Sequence, residues 1–147
     1  KRQEIYVLID GDMQHDPDEI PSLIDRLEES GADICIGSRF LGDISKMPLH
    51  RRIANIAVTR ITEIITGYHL TDVQSGFRAV RGCHMESLLG NVERYALEVG
   101  MVLNARKNNL KIVEFPIKTI YGKEKSKISA IRDSINLIKI LIRYYSS

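Results

Sequence analysis

Ile5-Tyr6-Val7-Leu8-Ile9-Asp10-Gly11-Asp12-Met13-Gln14-His15 is the stretch on which the reading of this chain turns. Its first five residues are apolar and rich in strand formers, the composition of a strand buried on both faces of a largely parallel sheet. The run stops abruptly at Asp10, and open α/β sheets place their ligand crevice at that end of a strand. Next, Asp16-Pro17-Asp18-Glu19 reads as a helix start, with Asp16 as N-cap, Pro17 at the first helical position and Glu19 closing a capping box. Ile20, Leu23, Ile24 and Leu27 form the expected buried stripe, and Gly31 ends the helix.

Working outward, Asp33-Ile34-Cys35-Ile36-Gly37 reads as a second strand leading into Ser38-Arg39, which completes a strand-helix-strand unit. A loop around Pro48 precedes a wide apolar helical face over 53–65, ending by Gly67. The stretch 71–80 reads as a loop running into a short strand, while 84–89 and 96–107 read as helices. Residues 111–121 alternate: Val113, Phe115 and Ile117 point one way and Glu114, Pro116 and Lys118 the other, as in an edge strand that carries a proline. A last helix covers about 129–144. The expectation is an α/β fold, a mostly parallel sheet flanked by helices, in one domain spanning 1–147.

Composition bounds the possibilities. The chain has 147 residues, 44% hydrophobic and 27% charged, enough to bury one core. A net charge of +2 is too mild for wholesale nucleic-acid binding, so no nucleic-acid partner is expected. Two cysteines, Cys35 in an apolar run and Cys83 beside His84, make no disulfide framework and suggest a reducing compartment. There is no signal-peptide pattern and no run of roughly 18 apolar residues, so no bilayer-crossing segment is expected. The terminal segment does carry a basic amphipathic pattern, Ile131, Ile135, Ile138 and Ile142 with Arg132, Lys139 and Arg143. Such a helix either closes the core or lies in a lipid interface.

The chemistry concentrates at Asp10-Gly11-Asp12-Met13-Gln14. Two carboxylates about 4 Å apart repel by about 4 kcal/mol at an effective dielectric near 20, so a cation between them is an economical explanation. A hard ion such as Mg²⁺ or Mn²⁺ takes one or two carboxylates and leaves positions for a substrate diphosphate, with Gln14 able to add a neutral oxygen and Gly11 allowing the backbone to turn. An isolated Asp-x-Asp equally decorates a strand-to-helix turn. A calcium loop starting at Asp10 fails, because His15 stands where glycine is needed and Pro21 where glutamate is needed. Downstream cations, Arg39, Arg51-Arg52, and Lys123, Lys125 and Lys127, are of the kind that neutralises a leaving diphosphate or holds a second phosphate, and each alone is also ordinary surface charge. Asp72-Val73-Gln74-Ser75-Gly76-Phe77-Arg78 packs a carboxylate, an amide, a hydroxyl, a glycine and an arginine into one loop, a density common at sites and in structural turns alike.

In order, Val7–His15, Gly37-Ser38-Arg39-Phe40, Asp72–Arg78, Glu98, Glu114-Phe115-Pro116-Ile117 and Ser126-Lys127 resemble the family 2 glycosyltransferases of the GT-A fold, most closely their dolichol-phosphate and polyprenyl-phosphate branch. The resemblance implies a hexosyltransferase of cell-envelope glycan synthesis that moves a sugar from a nucleotide-sugar donor to a polyprenyl or dolichyl phosphate with inversion. It implies Mg²⁺ or Mn²⁺ held by Asp10, Asp12 and Gln14, with Asp12 and Asp72 in catalytic roles. Donor or acceptor phosphates would meet Arg39, Arg51, Arg52, Arg78, Ser126 and Lys127, and Ser75, Gly76 and Glu98 would lie on the acceptor side. The location implied is the cytoplasmic face of a membrane, with peripheral contact. Alternatives are a relative acting on another glycan or lipid acceptor, and a noncatalytic metal- or nucleotide-binding module. Gly11 stands where the family often has alanine, and Tyr121-Gly122-Lys123 lacks an arginine common in the family. In that family the metal motif follows a nucleotide-binding half, so a fragment without its N-terminal nucleotide-binding half, comprising the metal motif onward, is expected.

Overall fold

The computed structural model describes residues 4–90, 97–120 and 134–142. Four strands, β1 (Ile5–Leu8), β2 (Ile34–Ser38), β3 (Arg78–Arg81) and β4 (Ile112–Pro116), form one sheet in the order β1-β3-β2-β4. β3 runs antiparallel to both β1 and β2, and β2 runs parallel to β4. Three strands therefore share one direction, as expected, but the reversed β3 is inserted between the two strands of the strand-helix-strand unit. The proline-bearing β4 takes the edge position that its missing N–H favours.

Helices cover both faces. α1 (Ile20–Ser30) buries Leu23 and Leu27 against Cys35, Phe77, Ala79 and Ile117, and ends at Gly31 in the left-handed conformation that glycine tolerates. Against the other face pack α2 (Leu49–Thr66), α3 (Met85–Leu89), α4 (Leu97–Lys107) and a final helical stretch, 134–142, around Ile34, Ile36, Val58, Val80, Val102 and Leu141. β2, covered from both sides, is buried along its whole length. In α2 the buried Thr62 and Thr66 hydroxyls donate to the carbonyls of Val58 and Thr62, one turn back, which satisfies them inside an apolar layer. The final stretch buries Leu137 and Leu141 and leaves Ile135 and Ile142 exposed.

Two local expectations are corrected. Asp16 does cap, accepting from the Asp18 amide at 3.0 Å, but it caps a 3-10 turn, Pro17–Glu19, that precedes α1. Glu19 closes no capping box; its carboxylate accepts the Lys118 amide at 3.2 Å, tying the helix start to the chain leaving β4. α2 also begins four residues earlier than its apolar face suggested, directly after Pro48.

Candidate active site

The acidic turn follows β1 at the end of the sheet where β2 also finishes and where β3 begins. Asp12 Oδ1 accepts the Gln14 amide at 3.0 Å, an Asx turn. The residue that supplies the left-handed backbone is Met13, at φ 62°, not Gly11, whose φ lies outside that region and beside which a Cβ would meet nothing. The turn is then stitched to the chain after β4. The Ile120 amide donates to the Gln14 carbonyl at 3.0 Å, and His15 bridges Thr119. His15 is buried against Phe77, with its Nε2 3.8 Å from Asp10 Oδ2. The His15 imidazole beside it, opposed by partial burial and assisted by the charges of Arg39 and Arg78, holds the Asp10 carboxyl below its usual range. Asp10 is thus kept ionised.

The Asp72–Arg78 loop closes over this turn. A Cβ on Gly76 would collide with both carboxylate oxygens of Asp10, so only glycine allows the close approach. Arg78, at 1% exposure, donates from Nε to the Ser75 carbonyl at 2.8 Å, from Nη2 to the Val73 carbonyl at 2.6 Å and from Nη1 to the Glu98 carbonyl at 2.9 Å. It pins the loop to the start of α4. Burial pulls its pKa down to about 10, opposed by Glu98, Asp72, Asp10 and Glu114, so it stays charged at neutral pH. Ser75 is buried, its hydroxyl accepting the Phe77 amide at 3.4 Å. Asp10, Gly76, Arg78 and Glu98, with Leu8, Ile9, Leu97 and Met101, line a cavity of about 140 Å³.

Asp72 is fully buried and its oxygens grip Arg39: Oδ2 accepts the Arg39 amide at 3.1 Å and Nε at 2.7 Å, and Oδ1 accepts Nη2 at 2.8 Å. The two residues assigned separate roles by resemblance therefore form one bidentate pair, close enough to Asp10 for Arg39 to lower its pKa. Arg51 and Arg52 sit in the first turn of α2, where Arg52 Nη2 donates to the Ile44 carbonyl at 2.8 Å. Ser126 and Lys127, like Lys123 and Lys125, lie outside the described residues.

Thr71 and Glu114 escaped the sequence reading as site residues. Glu114 accepts from the Thr71 amide, the Thr71 hydroxyl and the Asp72 amide, all at about 3 Å. The available signal was a lone carboxylate in a strand whose neighbours are apolar. Among the described residues no three His, Cys, Asp or Glu gather into a metal cage. Asp10 and Asp12 on one ordered turn make a donor set suited to a hard cation that fills its remaining positions with substrate oxygens and water.

Comparison with known proteins places the chain in a family. A UDP-N-acetylglucosamine–dolichyl-phosphate N-acetylglucosaminyltransferase of Methanococcus voltae is 35% identical over 80% of this chain and 49% of its own length. An undecaprenyl-phosphate mannosyltransferase of Micrococcus luteus is 30% identical over 78% of this chain and 48% of its own. A polyprenol monophosphomannose synthase of Mycolicibacterium smegmatis is 28% identical over 89% and 52%. The chain thus spans about half the length of the curated relatives it matches. The family model for glycosyl transferase family 2 matches residues 2–88, from the first strand to α3 and so including the acidic turn, Arg39 and the Asp72–Arg78 loop. By that match this α/β chain, with its mixed sheet and helices on both faces, belongs to glycosyl transferase family 2.

Proposed function

We propose that this chain supplies the metal-binding and acceptor-facing side of an enzyme that transfers a hexose from a nucleotide-sugar donor to a polyprenyl phosphate at the cytoplasmic face of a membrane. The observation that carries the reading is the convergence of Asp10, Gly76 and the Asp72–Arg39 pair on one end of the sheet. Three relatives whose names specify dolichyl, undecaprenyl or polyprenol acceptors support the lipid phosphate.

A Mg²⁺ or Mn²⁺ ion held by Asp10 and Asp12, with Gln14 beside them, would neutralise the departing nucleoside diphosphate. In the transfer, an acceptor phosphate oxygen forms the new bond to the anomeric carbon as the bond to the diphosphate oxygen breaks on the opposite face. That phosphate is ionised at neutral pH, so no base has to remove a proton. This suits Asp72, whose oxygens are spent on Arg39, and leaves Arg39 to meet a phosphate with its orientation already fixed. Arg78, enclosed by carbonyls, contributes charge and loop geometry.

Among the described residues no helix is long and apolar enough to cross a membrane. Membrane contact is supported instead by the exposed apolar side chains Leu49, Ile53, Ile56 and Ile64 along α2, which also carries Arg51, Arg52 and Arg60. In the intact protein, transfer of radiolabelled sugar from nucleotide donors to a short polyprenyl phosphate with Mn²⁺ should fall at least about a hundredfold in Asp12→Asn. Undiminished transfer by that variant would refute the metal reading, and transfer only to glycan acceptors would refute the lipid phosphate.

A further inference from the structure

We propose that Glu114 is a positioning residue for Arg39, acting through the Thr71–Asp72 turn. The inference deepens the reading above and rests on Arg39 as a phosphate contact. Two carboxylates stand back to back across that turn. Glu114, on β4, takes the donors of its backbone and hydroxyl; Asp72, at its end, reaches forward to Arg39.

The geometry is closed at each link. Glu114 lies opposite Ile36 in the β2–β4 register, two residues before the end of β2 at Ser38 and three before Arg39. Its Oε1 accepts the Thr71 amide at 2.9 Å and the Asp72 amide at 3.0 Å, and both of its oxygens lie 3.0 Å from the Thr71 hydroxyl. Thr71 Oγ1 also shares a 2.6 Å hydrogen bond with Ser38 Oγ, which in turn accepts the Leu41 amide at 3.3 Å. The turn is therefore fastened on one side to β4 and on the other to the residues flanking Arg39. Asp72 then holds Arg39 by its amide and by two guanidinium nitrogens.

The residue type matters. Three donors converge on a largely enclosed position, and a carboxylate offers two oxygens that can satisfy all of them. Glutamine has one such oxygen and would set an NH₂ against the same donors. Burial raises the Glu114 pKa, opposed by the hydrogen bonds from Thr71 and Asp72 and reinforced by the Asp72 charge. A buried carboxylate beside another is costly unless the turn it organises is needed. Rigid orientation of a planar guanidinium is such a need, because a bidentate phosphate contact tolerates little misalignment.

The test uses the intact enzyme with Glu114→Gln, with Thr71→Val as a second variant should the first fold poorly, and with Thr71→Ser as the conservative rescue. One readout is hydrogen exchange at the Arg39 Nε–H, followed by NMR and assigned with Arg39→Lys. The other is the KM for a short polyprenyl phosphate against kcat. Glu114→Gln and Thr71→Val should each speed Nε–H exchange and raise the acceptor KM by about tenfold, with kcat changed by less than about threefold, while Thr71→Ser restores both. Combining Glu114→Gln with Arg39→Lys should add nothing to Arg39→Lys alone. A folded Glu114→Gln protein with unchanged Nε–H exchange would overturn the proposal, as would KM effects that multiply in the double variant. Faster exchange with no change in KM for either phosphate substrate, in Arg39→Lys as well, would uphold the Glu114 link and sink the phosphate role of Arg39 instead.

Discussion

Gly11 and Gly76 both touch the acidic turn, yet they are held there for opposite reasons. At Gly11 nothing blocks a Cβ and the backbone is not left-handed, so Gly11→Ala should raise stability by about 0.4–1 kcal/mol through the unfolded chain alone, read as a higher melting temperature. At Gly76 a Cβ meets the end of the Asp10 side chain, which can swing aside. Gly76→Ala should therefore change the melting temperature little while weakening Mn²⁺ binding about tenfold or more, measured by paramagnetic resonance on the intact protein. Wild-type Mn²⁺ affinity in that variant would mean that the position of Asp10 is immaterial. This contrast was illegible in the sequence: both positions read simply as glycines in or near a turn, and the contact that separates them joins residues far apart in the chain. The left-handed demand of the turn fell on Met13, a residue type that gives no hint of it.

Among the elements, the loop from Asp72 to Arg78 depends on one side chain. Arg78 satisfies the carbonyls of Val73, Ser75 and Glu98, and replacing it with methionine would strand those of Val73 and Ser75 in a buried setting. Each orphaned acceptor costs about 1–3 kcal/mol, so Arg78→Met should lose about 2 kcal/mol or more in denaturant unfolding, and lysine, with one ammonium, should rescue little of it. A loss below about 1 kcal/mol would show that water replaces the guanidinium at these carbonyls. Elements with a strong pattern were readable: β1 and β2 from their apolar runs, β4 from its alternation and its proline, α1 and the end of α2 from Leu23, Leu27 and the glycine stops. β3 was legible as a short strand but not as a reversed one, since the four residues Arg78–Arg81 carry no mark of direction. Glu19 misled because the capping-box spacing was satisfied while a stronger tertiary partner, the Lys118 amide, was available.

For the molecule as a whole, acid stability should carry the imprint of Asp10. Its native pKa lies below the ordinary value of 3.8, chiefly through His15. The stabilisation it provides is complete above the unfolded value and is lost as pH falls through the depressed native one. The stability gap between wild type and Asp10→Asn should then shrink as pH falls below about 4, in urea titrations across that range. A gap that persists unchanged at lower pH would contradict the assignment. The reversed course of β3 has a further consequence, for the order in which the chain acquires its shape. Among the described residues β1 has no hydrogen-bonded neighbour strand except β3, and the backbone amides of the Thr71–Asp72 turn are held by Glu114 of β4. During synthesis, the acidic turn is made before β3 and β4 and waits for them before it gains its partners, a long loop closure that slows folding. Any truncation before β4 should yield a nascent chain that still displays both aspartates yet lacks Glu114 beneath the Thr71–Asp72 turn and Ile120 against Gln14.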